Sequence, residues 1–130
     1  MGNIKPGLTG ETERIVTEHD TAERWGSGLV PVFGTPSLVG LMENAAVEAL
    51  EGQLPPGQTS VGGRMDVRHL APTPVGMRVH ARAELLEVEG SRLVFRVEAW
   101  DAVEQIGKAT HERFVIDQEA FIAKAEEKGG

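Results

Sequence analysis

The strongest constraint on the fold is a long apolar stretch that begins at Thr35. Thr35 suits the N-cap of a helix, because its hydroxyl can accept a backbone N–H, and Pro36 suits the first turn. Apolar residues then recur at the spacing of one buried helical face: Leu38, Leu41, Met42, Ala45, Ala46, Ala49 and Leu50. Val39 and Val47 widen this face. The pattern therefore predicts a helix from Thr35 to about Glu51 that is surrounded by other structure.

One carboxylate interrupts this apolar helix. Glu43 has Val39 at i−4 and Val47 at i+4 as helical neighbours, so hydrocarbon is expected on both sides of it. A carboxylate placed among apolar groups is costly unless it is paired. We therefore expect Glu43 to have either a partner or a chemical role.

Composition narrows the class of protein. The 130 residues are predicted to form one domain, 1–130, with 40% hydrophobic and 25% charged residues. A formal net charge of −7 argues against nucleic-acid binding and against an anionic membrane surface. The absence of cysteine excludes disulfides and thiolate chemistry. Met1–Pro6 has no apolar signal core and no segment has a membrane span's length, so we expect a cytoplasmic location.

After Gly52 and Pro55–Gly57 the periodicity changes to two, which is typical of strands. The predicted strands are Glu11–His19, Thr59–His69, Met77–Val88, Ser91–Asp101 and Gln105–Ile116, with a loop at Thr21–Pro31 and a closing helix at Asp117–Lys128. The residues predicted to face the core are Thr59, Val61, Gly63, Met65, Val67 and His69; Met77, Val79, Ala81, Ala83 and Leu85; and Leu93, Phe95, Val97 and Ala99.

This order of elements predicts an α+β fold. Strands joined by short turns make a mostly antiparallel sheet of about five strands, and there is one long helix to cover. A curved sheet wrapped round that central helix, followed by a short C-terminal helix, is the hotdog fold. Such subunits generally pair because a curved sheet leaves edges unprotected, so we expect a homodimer or a dimer of dimers.

Three residues could carry chemistry. Glu43 lies on the predicted helix, Thr35 at its start, and His69 at the end of the first strand after it, on the face that should meet the helix. A carboxylate and an imidazole in one layer can orient a water and take its proton. The alternatives are a buried polar pair that only satisfies itself, and a threonine that serves only as a helix cap.

Other candidates carry weaker signals. Gly62 and Gly63 within a strand suggest close approach of a ligand or of another backbone, or a simple bulge. Arg113 could hold an acyl or phosphate oxygen, or lie on a strand surface. The remaining histidines lack metal-ligand spacing, so no metal site is predicted and these residues are expected to be exposed: His19, His80 and His111. Trp25 and Trp100 are expected to pack.

Five short motifs in order resemble the fluoroacetyl-CoA thioesterase-like family of hotdog proteins: Pro31–Thr35, Val39–Glu43, Val67–Pro74, Val88–Leu93 and Gly107–Arg113. The resemblance implies that Thr35, Glu43 and His69 act on a thioester at a dimer interface. It also implies that Gly62 and Arg113 lie close to the acyl group, and we extend this substrate-binding prediction to Gly63.

The sequence departs from the family before the helix. The specialised fluoroacetyl enzymes look rich in phenylalanine there, whereas this chain has the Gly-rich segment Arg24–Leu29. A segment of this composition cannot form the same aromatic lid. We therefore expect thioester hydrolysis without selectivity for fluoroacetyl-CoA.

The predicted function is hydrolysis of a small acyl-CoA, with the CoA moiety bound as part of the substrate and no separate cofactor. Basic residues that could receive its phosphates are Arg64, Arg68, Arg78 and Lys108. The alternative is a non-catalytic hotdog module that binds acyl-CoA. A hydratase or dehydratase ranks last, because their Asp-x-Asn-Pro-x-His pattern is absent.

Overall fold

The computed structural model describes residues 4–130. The segment Met1–Pro6, for which no signal sequence is predicted, lies partly outside the described residues. Its strands are β1 (Thr9–Ile15), β2 (Gln58–His69), β3 (Arg78–Glu89), β4 (Arg92–Trp100) and β5 (Gln105–Asp117), and its α-helices are α1 (Ala22–Trp25), α2 (Thr35–Ala49) and α3 (Gln118–Lys128). In this part of the chain no helix is long and apolar enough to cross a membrane.

The described strands form one antiparallel sheet in the order β1-β3-β4-β5-β2, and the sheet curls around α2. The hotdog prediction is therefore confirmed. The interior face of β3 and β4 is as predicted, because every second side chain is fully buried: Val79, Ala81, Ala83, Leu85, Leu93, Phe95, Val97 and Ala99. Apolar and polar residues alternate without interruption from Arg78 to Leu85, which makes this half of β3 the most predictable part of the sheet.

The start of α2 differs from the prediction. Gly34, not Thr35, is the N-cap residue, and no side chain of the described residues caps the helix. Pro36 lies in the first turn as expected. Because Thr35 has already entered the helix, its hydroxyl is free to make a different contact.

Only one side of α2 is covered within the protomer. The predicted face is buried against the sheet, with Leu38, Met42 and Ala45 fully covered. On the other side Val47 is 42% exposed and the Glu43 side chain is 41% exposed. The expectation of a helix surrounded on all sides is therefore wrong for a single chain.

A bulge at Gly63 divides β2 into two phases. Gly62 pairs with Arg113 and Arg64 pairs with Glu112, which leaves Gly63 as an extra residue. Side chains alternate along a strand, so one extra residue changes which positions face α2: even-numbered residues face it before the bulge and odd-numbered residues after it. Met65, Val67 and His69 face α2 as predicted. The prediction was wrong for the first half of the strand: Thr59, Val61 and Gly63 face away from α2, whereas Ser60 and Gly62 face it.

The segment before α2 is more structured than predicted. β1 ends at Ile15, and the Thr17 and Asp20 side chains form a capping box around the 3-10 helix Glu18–Asp20. Thr21 then caps α1 with its hydroxyl, which accepts from the Arg24 amide at 3.1 Å. Two caps in succession explain why a region predicted as strand and loop forms two short helices.

Candidate active site

Thr35 and His69 meet at the N-terminal end of α2. Oγ1 of Thr35 hydrogen-bonds with Nδ1 of His69 at 2.8 Å. Nε2 of His69 is buried and has no hydrogen-bond partner among the described residues. Burial lowers the pKa of His69, while the backbone of Ala71 opposes the shift, so the neutral imidazole is favoured. A buried nitrogen without a partner is expected to interact with something that the protomer lacks.

Glu43 lies further along α2, beside Arg113 of β5. Its Oε2 atom is 3.8 Å from Nη1 of Arg113, which makes an ion pair without a short hydrogen bond. The Arg113 side chain is 7% exposed and the Glu43 side chain 41%, so the carboxylate faces outward from a buried cation. Arg113 is therefore not the strand-surface residue of the alternative interpretation.

Gly62 provides the space that the Glu43 carboxylate occupies. A Cβ atom on Gly62 would lie 2.7 Å from Oε2 of Glu43 and 3.3 Å from Cε1 of His111. The group that approaches Gly62 in the structure is therefore a side chain of the protein, neither a ligand nor another backbone, and the alternative of a bulge is confirmed at the next residue. Gly63 points to the other face, where a Cβ atom would overlap the Phe114 ring. The structure thus separates Gly63 from Glu43.

His111 belongs to this group and was missed by the sequence analysis, which expected it to be exposed. It is 1% exposed; its Nδ1 is 2.7 Å from the Arg64 carbonyl oxygen and its Nε2 is 3.1 Å from Nη1 of Arg113. Burial lowers the pKa of His111, and the Arg113 charge adds to this effect. His111 has the same parity along β5 as Arg113, and that alternation was the available signal.

Trp25 makes a second contact that the sequence did not reveal. Its indole Nε1 donates to the Ser37 hydroxyl at 2.8 Å, which ties α1 to the first turn of α2. Trp25 itself is 58% exposed, contrary to the expectation that it packs. Leu29, in the following Gly-rich loop, is 93% exposed. An apolar and partly aromatic surface therefore lies beside the N-terminus of α2.

The predicted phosphate-binding residues have different surroundings. Arg78 pairs with Glu13 at 2.9 Å and Arg64 pairs with Glu112 at 3.6 Å. Arg68 and Lys108 line a cavity of about 270 Å³ on the outer face of the sheet, together with other charged side chains. None of these contacts reaches Glu43 or His69.

The candidate residues thus form two separate groups in one protomer. Thr35 pairs with His69, whereas Glu43 pairs with Arg113, and among residues 4–130 no hydrogen bond joins Glu43 to His69. Thr35 and Glu43 lie eight residues apart on one helix, which corresponds to about 12 Å. A single small acyl group cannot touch both groups of the same chain.

The profile of the fluoroacetyl-CoA-specific thioesterase family, FlK, matches residues 16–119. The chain belongs to this family. Fluoroacetyl-CoA thioesterase from Streptantibioticus cattleyicolor is 50% identical over 97 residues, which cover 75% of this chain and 70% of that protein.

Solved structures agree with this membership of the FlK family. A structure of the fluoroacetyl-CoA thioesterase FlK superposes with a TM-score of 0.90 at 40% identity, covering 96% of this chain and 97% of that one. A thioesterase superfamily member from Thermus thermophilus gives 0.88 at 31% identity, with coverages of 98% and 97%.

Membership of the FlK family confirms the predicted activity: the chain is a thioester hydrolase, and its family acts on acyl-CoA. It also agrees with the hotdog fold described above. One mutant of FlK has been solved in complex with fluoroacetate and CoA, at 40% identity to this chain and a TM-score of 0.85.

Proposed function

We propose that this protein hydrolyses small acyl-CoA thioesters, with Glu43 as the reacting carboxylate and Thr35 and His69 as its partners. The observation that carries this proposal is the position of Glu43. It is held beside the buried cation Arg113, yet it remains 41% exposed, so a substrate can reach it. A carboxylate in this setting can act as a general base on water or attack the carbonyl to give a short-lived anhydride.

The Thr35–His69 pair has the groups needed to complete the reaction. Nε2 of His69 has no partner among the described residues, so in the neutral ring it can orient a water, receive the proton that the water gives up and pass that proton to the departing thiolate. In this tautomer Nδ1 donates to the Thr35 hydroxyl, which fixes the ring and keeps its own proton for a hydrogen bond to the reacting group. α2 begins without a side-chain cap, which leaves first-turn N–H groups available to the developing oxyanion. The backbone around Gly62 is the alternative oxyanion site.

A homodimer would bring the two groups to one substrate. β2 is a 12-residue edge strand in the described sheet, and such an edge is an open template for pairing with a second copy. The uncovered side of α2, where Val47 is exposed, is a second apolar surface that a partner copy could cover. We propose that pairing of two copies places the Thr35–His69 pair of one protomer near Glu43 of its partner. Assembly of two dimers and a cytoplasmic location remain predictions.

The acyl group is proposed to be small, without fluoroacetyl selectivity. The segment before α2 offers Trp25 and Leu29 as apolar groups, and its glycines cannot supply an aromatic lid. The thioester is hydrolysed without a separate cofactor, because CoA enters as part of the substrate. Arg68 and Lys108 are the candidate phosphate contacts with no ion-pair partner within 4.0 Å in the described residues.

The test is a panel of acetyl-, propionyl-, phenylacetyl- and fluoroacetyl-CoA, with free thiol measured over time. Glu43→Gln should keep the fold and lose about 10²–10⁴-fold in turnover. Glu48→Gln is the matched control, because Glu48 is an exposed carboxylate on the same helix. Wild-type rates in Glu43→Gln would discard the assignment. CoA affinity without thiol release would instead identify a binding module.

A further inference from the structure

His111 is a buried titratable group to which the proposed hydrolysis gives no role. Its Nδ1 lies 2.7 Å from the Arg64 carbonyl oxygen. A carbonyl oxygen only accepts, so Nδ1 carries a proton and donates. In the neutral ring Nε2 then holds a lone pair, and this atom is 3.1 Å from Nη1 of Arg113. The two contacts together fix one tautomer of His111 and make it an acceptor for Arg113.

The Arg113 guanidinium is held on several sides. Its Nε donates to the Ser60 hydroxyl at 2.8 Å and its Nη2 donates to the Ser60 carbonyl at 3.0 Å. Nη1 donates to His111 and also faces Oε2 of Glu43 at 3.8 Å. Since a guanidinium is planar and its N–H groups are rigidly arranged, these contacts determine where Nη1 points.

We propose that His111 is a positioning residue, which aims Arg113 at the Glu43 carboxylate by accepting a hydrogen bond from Nη1. The inference rests on the proposed function, since it assumes that Glu43 reacts. His111 does not touch the carbonyl or the water in this scheme. Its effect on turnover passes through Arg113, and through the orientation that Arg113 gives to Glu43.

The surroundings of His111 favour the accepting form. The charged groups that face it are Arg113 on β5 and Glu43 on α2, with the Arg64 carbonyl on β2 and the Phe95 ring of β4 at 6.4 Å. Burial and the Arg113 cation favour the neutral ring, whereas Glu43 and the Arg64 carbonyl favour the charged one. A charged ring would place an N–H against the N–H of Arg113 and remove the acceptor.

Two substitutions of His111 distinguish the contact made by its Nδ1 from the contact made by its Nε2. In His111→Gln the amide oxygen reaches toward the place of Nε2 and can accept from Arg113. In His111→Asn the shorter amide can donate to the Arg64 carbonyl, but Nη1 loses its acceptor. We expect His111→Asn to lower kcat by about tenfold or more with little change in KM, and His111→Gln to restore it to within about threefold of wild type.

A double-mutant cycle tests whether the effect passes through Arg113. In an Arg113→Met background, His111→Asn should cause no further loss of kcat, because the group that it positions is gone. The same fold-loss in both backgrounds would overturn the proposal and leave His111 with a structural role. Thermal unfolding of each variant shows whether a loss reflects reduced stability.

A readout without substrate separates this inference from the proposed function. Nitrogen-15 NMR of the wild-type imidazole should show a protonated Nδ1 and an unprotonated Nε2 at neutral pH. A protected Nη1–H signal from Arg113 should be present in wild type and His111→Gln, and lost in His111→Asn. A protonated Nε2 would overturn the inference even in an active enzyme. Failure of wild type to release thiol, with the expected NMR result, would overturn only the proposed function.

Discussion

The hydroxyl of Thr35 lies 2.8 Å from Nδ1 of His69, and this contact joins the first turn of α2 to the last residue of β2. It forms because Gly34 takes the N-cap position and releases the Thr35 side chain from capping. The contact fixes the ring of His69, while its other nitrogen has no partner in the described part of the chain. A threonine that looks like a helix cap in the sequence therefore holds a histidine ring in the structure.

Thr35→Ala should reduce kcat/KM by about tenfold or more, because His69 loses the group that orients its ring. The free energy of unfolding should change by less than about 0.5 kcal/mol, whereas removal of a true N-cap costs about 1 kcal/mol. Denaturant unfolding and thiol release measure the two quantities. Thr35→Ser keeps the hydroxyl and is the control. A stability loss like that of a cap, with activity retained, would contradict this interpretation.

Gly62→Ala and Gly63→Ala should affect different properties, turnover and stability respectively, although the residues are adjacent. A Cβ atom at Gly62 would lie 2.7 Å from Oε2 of Glu43, so the carboxylate would have to move. Turnover should therefore fall by at least about tenfold with a modest change in stability. A Cβ atom at Gly63 would overlap the Phe114 ring, so stability should fall by about 1–3 kcal/mol. Measuring Tm and kcat for both variants checks this. Equal effects would show that the two faces of β2 are not separated.

Stability should decrease as the pH falls below about 6.5, the ordinary value for histidine. Burial lowers the pKa of both His69 and His111, so below that pH the unfolded chain binds more protons at these two residues than the folded chain does. Each group's stabilisation is complete above the unfolded pKa and is lost on acidification toward the lowered folded value. Urea unfolding at about pH 7.5 and about pH 5.5 gives the difference. His111→Gln should reduce this pH dependence, and an unchanged difference between the two pH values would contradict the role given to burial of this ring.

Val47→Asp should weaken the proposed dimer and lower activity together. Val47 is 42% exposed on the uncovered side of α2, where a second copy is expected to pack. A buried charge at such an interface is costly, so dissociation should occur at higher protein concentration. Light scattering and thiol release over a concentration series measure both effects. Val103→Asp, at a 76% exposed position beyond β4, is the control. An active Val47→Asp monomer would show that one chain carries a complete site.

The sequence predicted the parts of the fold in which one pattern is uninterrupted. The first half of β3 alternates strictly, and the buried faces of β4 and α2 repeat at strand and helical spacing, so most of their buried residues could be named in advance. The Thr35–His69 contact could not, because Gly34 and Thr35 both suit an N-cap and only packing decides between them. The family resemblance pointed to the residues of the site, and the eight-residue spacing of Thr35 and Glu43 already indicated that these two do not meet in one chain. The partners that each of them has, His69 and Arg113, came only from the structure.

His111 shows a different kind of gap. Exposure was expected because histidine has no strong preference for the core and no metal-ligand spacing was present. In β5, however, Ala109, His111 and Arg113 share one face, and all three are buried. Buried polar groups pair with one another across strands, and Ser60 and Arg64 supply those partners from β2. Such partners lie far away in the chain, so local patterns do not reveal them.

The extra residue at Gly63 decides how β2 has to be aligned with other strands of this kind. Gly62 before it and His69 after it both face α2, although they are an odd number of positions apart. In a strand without a bulge, two residues on the same face are an even number of positions apart. A relative with a regular strand should therefore keep both side chains on the α2 face with one residue fewer between them, and an alignment without that gap would match one of the two to the wrong face.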